Sequence, residues 1–256
     1  MSLTLPRTPS FRLDGKTALV VGASSGIGQG AAVALAEAGA HVTLAARSAD
    51  KLELVAGTLR DKGFATEVLL LDVQDVEAAD RTIASCEAFD ILVNSAGLAR
   101  HGPAVDTTIA DFDSVVGINL RGAYFLTRAV AKKLIATGRP GSLINISSQM
   151  AHVGSIDRAV YSATKHAIEG FTKSMAIEWG ARGIRVNTIC PTFIRTLLAE
   201  QTFENPDRMK WILEKIKLGR IGEIEDIMGP VTFLASDASA MITGTALMVD
   251  GGWTAG

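Results

Sequence analysis

Short apolar runs alternate with longer amphipathic stretches along almost the whole chain. Seven runs have the length of strands and are continuous rather than alternating, as is typical of strands buried on both faces: 17–22, 41–46, 66–71, 90–94, 141–147, 184–190 and 245–250. Six stretches between them have helical periodicity: 27–38, 51–62, 76–87, 109–136, 161–179 and 225–235. The repeated strand–helix–strand order predicts one α/β domain over 1–256, with a mainly parallel seven-stranded sheet and helices on both faces.

Two segments depart from this order. Residues 1–13 have neither pattern and are expected to form a loose N-terminal arm. Residues 192–222 are long for a connection and mix apolar with charged residues. Long insertions after a strand often cover binding clefts, so this segment is a candidate substrate lid, although a surface helical excursion would give the same pattern.

Composition narrows the function classes. The chain is 48% hydrophobic with a net charge of −2 and no basic block, so no nucleic-acid partner is expected. No uncharged apolar stretch is long enough to span a membrane. Cys86 and Cys190 are too few for a disulfide framework and have no metal-ligand partners at useful spacing in the sequence. We therefore expect a cytoplasmic protein with no membrane partner and no metal.

A glycine-rich turn follows the first predicted strand. In VGASSGIGQG, Gly22, Gly26 and Gly28 stand where a strand gives way to a helix. Glycine lets the backbone approach a bulky group, and the first helical N–H groups favour an anion. This context predicts a dinucleotide phosphate site, whereas tight helix–strand packing is the alternative.

Three further motifs accompany this GxxxGxG turn: NSAG at 94–97, Ser148 within NISS, and YSATK at 161–165. Together they resemble the short-chain dehydrogenase/reductase family, classical type, over essentially the whole chain. The resemblance implies a Rossmann-type doubly wound fold, hydride transfer between NAD(P) and a secondary alcohol or ketone, and a homotetramer. Val21 and Thr192 stand where the family usually has threonine and glycine.

The resemblance also implies the residues that hold the cofactor. At the phosphate turn these are Gly22, Ser24, Ser25, Gly26, Ile27 and Gly28. The adenosine side is expected to use Asp72, Val73, Asn94, Ala96 and Gly97, and the nicotinamide side Tyr161, Lys165, Pro191, Ile194 and Thr196. Simple capping is the alternative for Asp72 and Thr196, and a mainly structural role is the alternative for Asn94.

The end of the second predicted strand bears on the choice between NADP and NAD. In the family, an acidic residue here contacts the adenosine ribose of NAD, but this chain has Ala46 followed by Arg47. Arginine suits a 2′-phosphate, so NADP is the preferred cofactor and NAD the alternative.

The catalytic hypothesis rests on Ser148, Tyr161 and Lys165. Tyr161 and Lys165 are four residues apart, so they share a helix face, and Ser148 ends the fifth predicted strand. Parallel sheets bind ligands outside the carboxyl ends of their strands. A free phenol titrates near pH 10, and a nearby ammonium favours its ionised form, so Tyr161 would be the acid/base. Ser148 would stabilise the substrate oxygen.

Asn119 matches the fourth catalytic member of the family. By resemblance it would interrupt the long helix locally and hold a water that links Lys165 to solvent. Ser147 competes with Ser148 as the active hydroxyl, although the spacing to Tyr161 favours Ser148. Tyr124 has no lysine four residues later, so a packing role is expected.

Substrate contacts are expected near the crevice mouth, together with the lid at 197–215: His101, Gln149, Met150, His152 and Ile156. Arg100 and Arg158 are conceivable anion partners and equally ordinary loop charges. The substrate class stays open between a sugar acid or polyol and a 3-oxoacyl thioester. A catalytically silent nucleotide sensor is the alternative from a different class.

Overall fold

A computed structural model describes residues 3–196, 199 and 203–256. Seven strands form one sheet in the order β3-β2-β1-β4-β5-β6-β7, and every neighbouring pair is parallel. Their bounds are β1 (Thr17–Val21), β2 (His41–Ala46), β3 (Thr66–Leu70), β4 (Ile91–Asn94), β5 (Gly141–Ile146), β6 (Ile184–Pro191) and β7 (Ala246–Val249). This is a Rossmann-type doubly wound sheet, so the predicted fold is confirmed.

Eight α-helices surround the sheet in the described part of the chain: α1 (Gly26–Glu37), α2 (Ala49–Asp61), α3 (Val76–Ser85), α4 (Ile109–Val116), α5 (Ala123–Thr137), α6 (Ala159–Trp179), α7 (Pro206–Lys215) and α8 (Glu225–Ala235). Successive side chains of β1 enter different cores. Val20 packs into a core that includes residues of α1, α2 and α8, whereas Leu19 packs into one that includes residues of α3, α5 and α6. Both faces are covered, which explains the continuous apolar runs.

The long helix predicted over 109–136 is interrupted. A π-helical turn, Gly117–Gly122, separates α4 from α5. Gly122 approaches the end of β3 so closely that an added Cβ would lie 2.7 Å from the carbonyl oxygen of Val73. The expected local break at Asn119 is therefore present, and close packing against β3 accompanies it.

Both the N-terminal arm (1–13) and the candidate lid (192–222) contain ordered parts. Residues 3–10 are exposed and lack regular secondary structure, but Leu13 is buried and its N–H donates to the carbonyl of Ala38 (2.8 Å). Within 192–222, Ile194 and Gly222 form a parallel bridge, and α7 supplies the helical part. Residues 197, 198 and 200–202 of the expected lid lie outside the described residues.

The sequence motifs lie at the carboxyl-terminal ends of the central strands. The strand order reverses between β1 and β4, where one half of the sheet continues to β3 and the other to β7. Ligands of such sheets bind outside the carboxyl ends of the strands at this switch point. The glycine turn after β1, the NSAG segment after β4 and Ser148 after β5 all follow those ends.

Candidate active site

The turn between β1 and α1 provides a cradle lined by backbone. Gly22 and Gly26 have φ of +81° and +56°, a region that favours glycine. A Cβ on Gly22 would lie 2.9 Å from the carbonyl carbon of Ser95, and one on Gly28 would overlap the carbonyl oxygen of Gly22. These approaches show that the turn packs directly against the backbone after β4 and against its own start, which requires residues without a Cβ. The packing holds the backbone of the turn at the start of α1, where a dinucleotide pyrophosphate would bind.

The start of α1 is open to such an anion. Ser25 is the N-cap residue, and its side chain makes no capping hydrogen bond, so it does not occupy the first N–H groups of the helix. Ser24 and Ile27 lie in the same turn and are partly exposed. Thr196 packs across it, since a Cβ on Gly26 would lie 3.3 Å from the Thr196 methyl group.

The expected adenosine contacts lie at the ends of β2, β3 and β4. Arg47 is exposed directly after β2, and Val73 is buried after β3. One carboxylate oxygen of Asp72 accepts the N–H of Gln74 (3.0 Å), so part of its bonding capacity serves the local turn.

Asn94 has a clear structural role. Its Nδ2 donates to Oδ1 of Asn145 across β4 and β5 (3.0 Å), and its Oδ1 accepts the N–H of Ala96 (3.2 Å). This network fixes the segment that ends in Gly97 and packs against the glycine turn. The mainly structural alternative for Asn94 is the one that the contacts support.

Ser148, Tyr161 and Lys165 are held by β5 and α6. Lys165 is buried, and its Nζ donates to the carbonyl of Ile146 (2.8 Å), two residues before Ser148. The same Nζ lies 5.5 Å from the centre of the Tyr161 ring. Ser148 caps a short 3-10 helix, Gln149–Ala151, by accepting the N–H of Met150 (3.1 Å). The ammonium therefore ties the tyrosine helix to the strand that carries the serine.

Asn119 is fully buried in the π-helical turn. Its Oδ1 accepts the N–H of Leu98, and its Nδ2 donates to the carbonyl of Leu98, both at 2.8 Å. Nδ2 also reaches Oγ1 of Thr164 on α6 (3.4 Å). The side chain thus links the segment after β4 to the helix of Tyr161 and Lys165. Its expected role in holding a water stays a prediction.

Comparison with known proteins shows the family to which the chain belongs. A family model described as enoyl-(acyl carrier protein) reductase matches residues 22–254. The chain belongs to the short-chain dehydrogenase/reductase family. As a member of it, the chain is an oxidoreductase that acts on CH–OH groups with a nicotinamide cofactor.

Curated relatives and solved structures of this family cover nearly the whole chain. A D-threitol dehydrogenase from Mycolicibacterium smegmatis is 42% identical over 95% of both chains. A D-erythrulose reductase from Gallus gallus is 38% identical over 96% of this chain and 98% of its own. The structure of a gluconate 5-dehydrogenase from Burkholderia cenocepacia in complex with NADP and tartrate has a TM-score of 0.93 and 36% identity, covering 96% of this chain and 98% of its own.

The expected substrate contacts of this short-chain dehydrogenase/reductase have different surroundings. Met150 and Tyr161 belong to an apolar cluster with Phe193 and with Ile212 of α7. The His101 ring lies 6.5 Å from the Tyr161 ring, edge to face. Gln149 is buried and accepts from Oγ of Ser148 (3.2 Å), whereas Ile156 is strongly exposed.

His152 lies beside Cys190. Nε2 of His152 is 3.6 Å from Sγ of Cys190, and this thiol donates to Oε1 of the buried Glu169 (3.4 Å). The three ligand atoms lie within 4.8 Å of one another, a grouping that the sequence spacing did not reveal. Burial, followed by the charge of Glu169, raises the pKa of Cys190 to about 12, so this thiol stays protonated and unreactive.

The nicotinamide-side segment follows β6. Pro191 ends the strand, Ile194 is buried, and the N–H of Ala199 donates to the carbonyl of Thr196 (2.8 Å). The residues around Ala199 are among those not described, so the helix-capping alternative for Thr196 stays open.

No helix in the described ranges is long and apolar enough to cross a bilayer.

Proposed function

We propose that this protein transfers a hydride between NADP(H) and a secondary alcohol or ketone of a sugar acid or polyol. The observation that carries the proposal is the position of the Lys165 ammonium, which donates to the carbonyl of Ile146, two residues before Ser148, and lies 5.5 Å from the centre of the Tyr161 ring. The substrate class is supported by relatives of similar length whose names include threitol, erythrulose and gluconate.

Each of the three residues has a distinct part in the proposed reaction. When bound, the nicotinamide supplies or accepts the hydride. The hydroxyl of Tyr161 gives the proton to the carbonyl oxygen in reduction and takes it from the alcohol in oxidation. The hydroxyl of Ser148 donates to the same oxygen as negative charge develops on it. The ammonium of Lys165, held by the carbonyl of Ile146, places a positive charge 5.5 Å from the centre of the Tyr161 ring.

The preference for NADP is supported by Arg47. Its guanidinium is exposed at the end of β2, and no ion pair engages it within the described residues. An Arg–phosphate contact is charge-assisted and worth roughly 1.5–3 kcal/mol, or about 10–100-fold in affinity. Positions 46 and 47 hold Ala46 and Arg47, so neither carries an acidic side chain that would repel the 2′-phosphate. The solved relative that holds NADP supports the same choice.

A panel assay tests this function. NADP⁺ reduction is followed with sugar acids and polyols of four to six carbons, in parallel with NAD⁺, and NADPH oxidation is followed with a 3-oxoacyl thioester. We expect turnover of at least one sugar acid or polyol, about 10–100-fold more efficient with NADP⁺ than with NAD⁺. Turnover of the thioester alone would reject the proposal and favour the acyl-reductase alternative.

We also propose that residues 192–222 cover the substrate. Ile212 and Ile216 of this segment pack in the same cluster as Met150 and Tyr161, so its helical part reaches the catalytic residues. Movement of this segment would open and close the apolar side of the site.

A homotetramer in the cytoplasm completes the proposal. The unpaired state of Cys86 and Cys190 is compatible with a reducing compartment. Large apolar side chains are exposed on α4, α5 and α6, including Ile109, Tyr124 and Ile177, a surface that a second copy of the chain would cover. Light scattering should give about four times the subunit mass of 26.9 kDa. A single-subunit mass would contradict the tetramer.

A further inference from the structure

Arg158 is a buried cation beside the proposed acid/base. It precedes α6, three residues before Tyr161, and is only 9% exposed. Its guanidinium lies 5.6 Å from the centre of the Phe193 ring, and Phe193 belongs to the same apolar cluster as Tyr161. The charged group is therefore held at the substrate side of the site rather than in bulk solvent.

The bonding of Arg158 is incomplete among the described residues. A guanidinium has five N–H donors, and here one of them, on Nη1, reaches Nε2 of His101 (2.7 Å). No carboxylate of the described chain pairs with it, although Asp157 is its neighbour in sequence. Arg185, a half-buried arginine, donates to three backbone carbonyls instead. Burying a cation without a carboxylate partner is costly, so Arg158 is poised for an anion that is not part of these residues.

The surroundings of Arg158 are positive. Burial, then Arg158 and Arg208, lower the pKa of His101 to about 4, so its imidazole is neutral near pH 7. Because Nε2 accepts from Arg158, the proton of the neutral ring lies on Nδ1, which remains a donor. Burial and then Arg208 also lower the pKa of Arg158 itself, whereas Tyr161 raises it. Asp157 opposes these effects only weakly, since its influence is the smallest on both groups.

We propose that Arg158, assisted by His101, binds the carboxylate of the substrate, so that the preferred substrate is a sugar acid rather than a neutral polyol. This inference rests on the proposed function and deepens it. A planar guanidinium pairs with a carboxylate through two parallel N–H···O bonds, which fixes orientation as well as charge. The carboxylate would thereby place a hydroxyl carbon of the same molecule at Tyr161.

The inference is tested with pairs of substrates that have similar carbon skeletons but differ in charge, one an acid and the other a neutral polyol. The wild-type enzyme is assayed with NADP⁺ on D-gluconate and D-glucitol, and on D-threonate and D-threitol. We expect a higher kcat/KM for the acid of each pair. In Arg158→Gln, KM for the acids should rise roughly 10–100-fold, because the partner of a buried charge pair is lost, with little change for the polyols. Arg158→Lys, which keeps the charge, should recover part of the loss.

Arg100→Gln is the matched control. Arg100 precedes His101 but is exposed and pairs with Asp111, so its removal should leave the acid-to-polyol ratio unchanged.

Competition by tartrate but not by erythritol, measured on the wild-type enzyme, tests the inference without any variant. Equal use of acids and polyols with no inhibition by tartrate would overturn the inference while leaving the proposed function intact. A stronger preference for a sugar phosphate than for the sugar acid would overturn the carboxylate assignment. Turnover of neither acids nor polyols would instead reject the proposed function itself.

Discussion

Replacing Tyr161 by phenylalanine should reduce kcat by roughly 10²–10⁴-fold, the usual contribution of a positioned acid/base. The phenyl ring can still pack with Met150 and Phe193, and the ammonium of Lys165 can still donate to the carbonyl of Ile146. The glycine cradle is unchanged as well. We therefore expect NADPH affinity, measured by fluorescence titration, to stay within a few-fold of the wild-type value while the rate collapses.

The second tyrosine of the chain provides the control. Tyr124 lies on α5, where its ring packs edge to face against Phe125 and Phe171, at 5.4 and 5.6 Å between centres. Tyr124→Phe should keep the wild-type rate. Wild-type activity in Tyr161→Phe would remove the tyrosine from the reaction, and an equal loss in both variants would point to a folding effect.

Ser148→Ala should lower kcat by roughly 10²–10³-fold, the effect of removing one donor to a developing oxyanion. The change also removes a local cap, since Oγ of Ser148 accepts the N–H of Met150, and such a cap contributes about 1 kcal/mol. Thermal unfolding should therefore be recorded beside the kinetics. A modest loss of stability with a large loss of rate is the expected combination.

Ser147→Ala distinguishes the two adjacent serines. The Ser147 hydroxyl is buried and has no hydrogen-bond partner in the described structure. The Ser148 hydroxyl, which also follows β5, donates to Oε1 of Gln149. Removing the Ser147 hydroxyl should cost little rate. If Ser147→Ala were the slower variant, the catalytic hydroxyl would have to be reassigned.

Local pattern was enough to predict most of the fold. Strands such as β1 are mostly apolar, and the glycine turn lies where the sequence predicted it, between β1 and α1. Asn119 could be predicted to interrupt a helix because it matches a family position and is a poor residue within a helix. The close contact of Gly122 in the π-helical turn with the backbone of Val73 could not be predicted, because Val73 lies far away in sequence, in the segment after β3.

The polar groups around the site were less predictable than its catalytic residues. Arg158 and His101 meet across 57 residues of sequence, and Cys190 and His152 across 38. In the sequence each is an isolated polar residue, and only the packing of α6, β6 and their loops brings them together. For His152, the position shortly after Ser148 predicted a substrate contact, whereas in the structure its Nε2 lies next to Sγ of Cys190.

Transfer of isotope tests the central claim most directly. The enzyme is incubated with NADPH that carries deuterium at one or the other of the two C4 positions, together with the ketone of the sugar acid or polyol that the panel selects. The account predicts that one of the two labelled forms delivers its deuterium to the carbinol carbon of the product, seen by mass spectrometry, and that Tyr161→Phe slows this transfer by roughly 10²–10⁴-fold. A product that forms without label from both forms would contradict direct hydride transfer at this site.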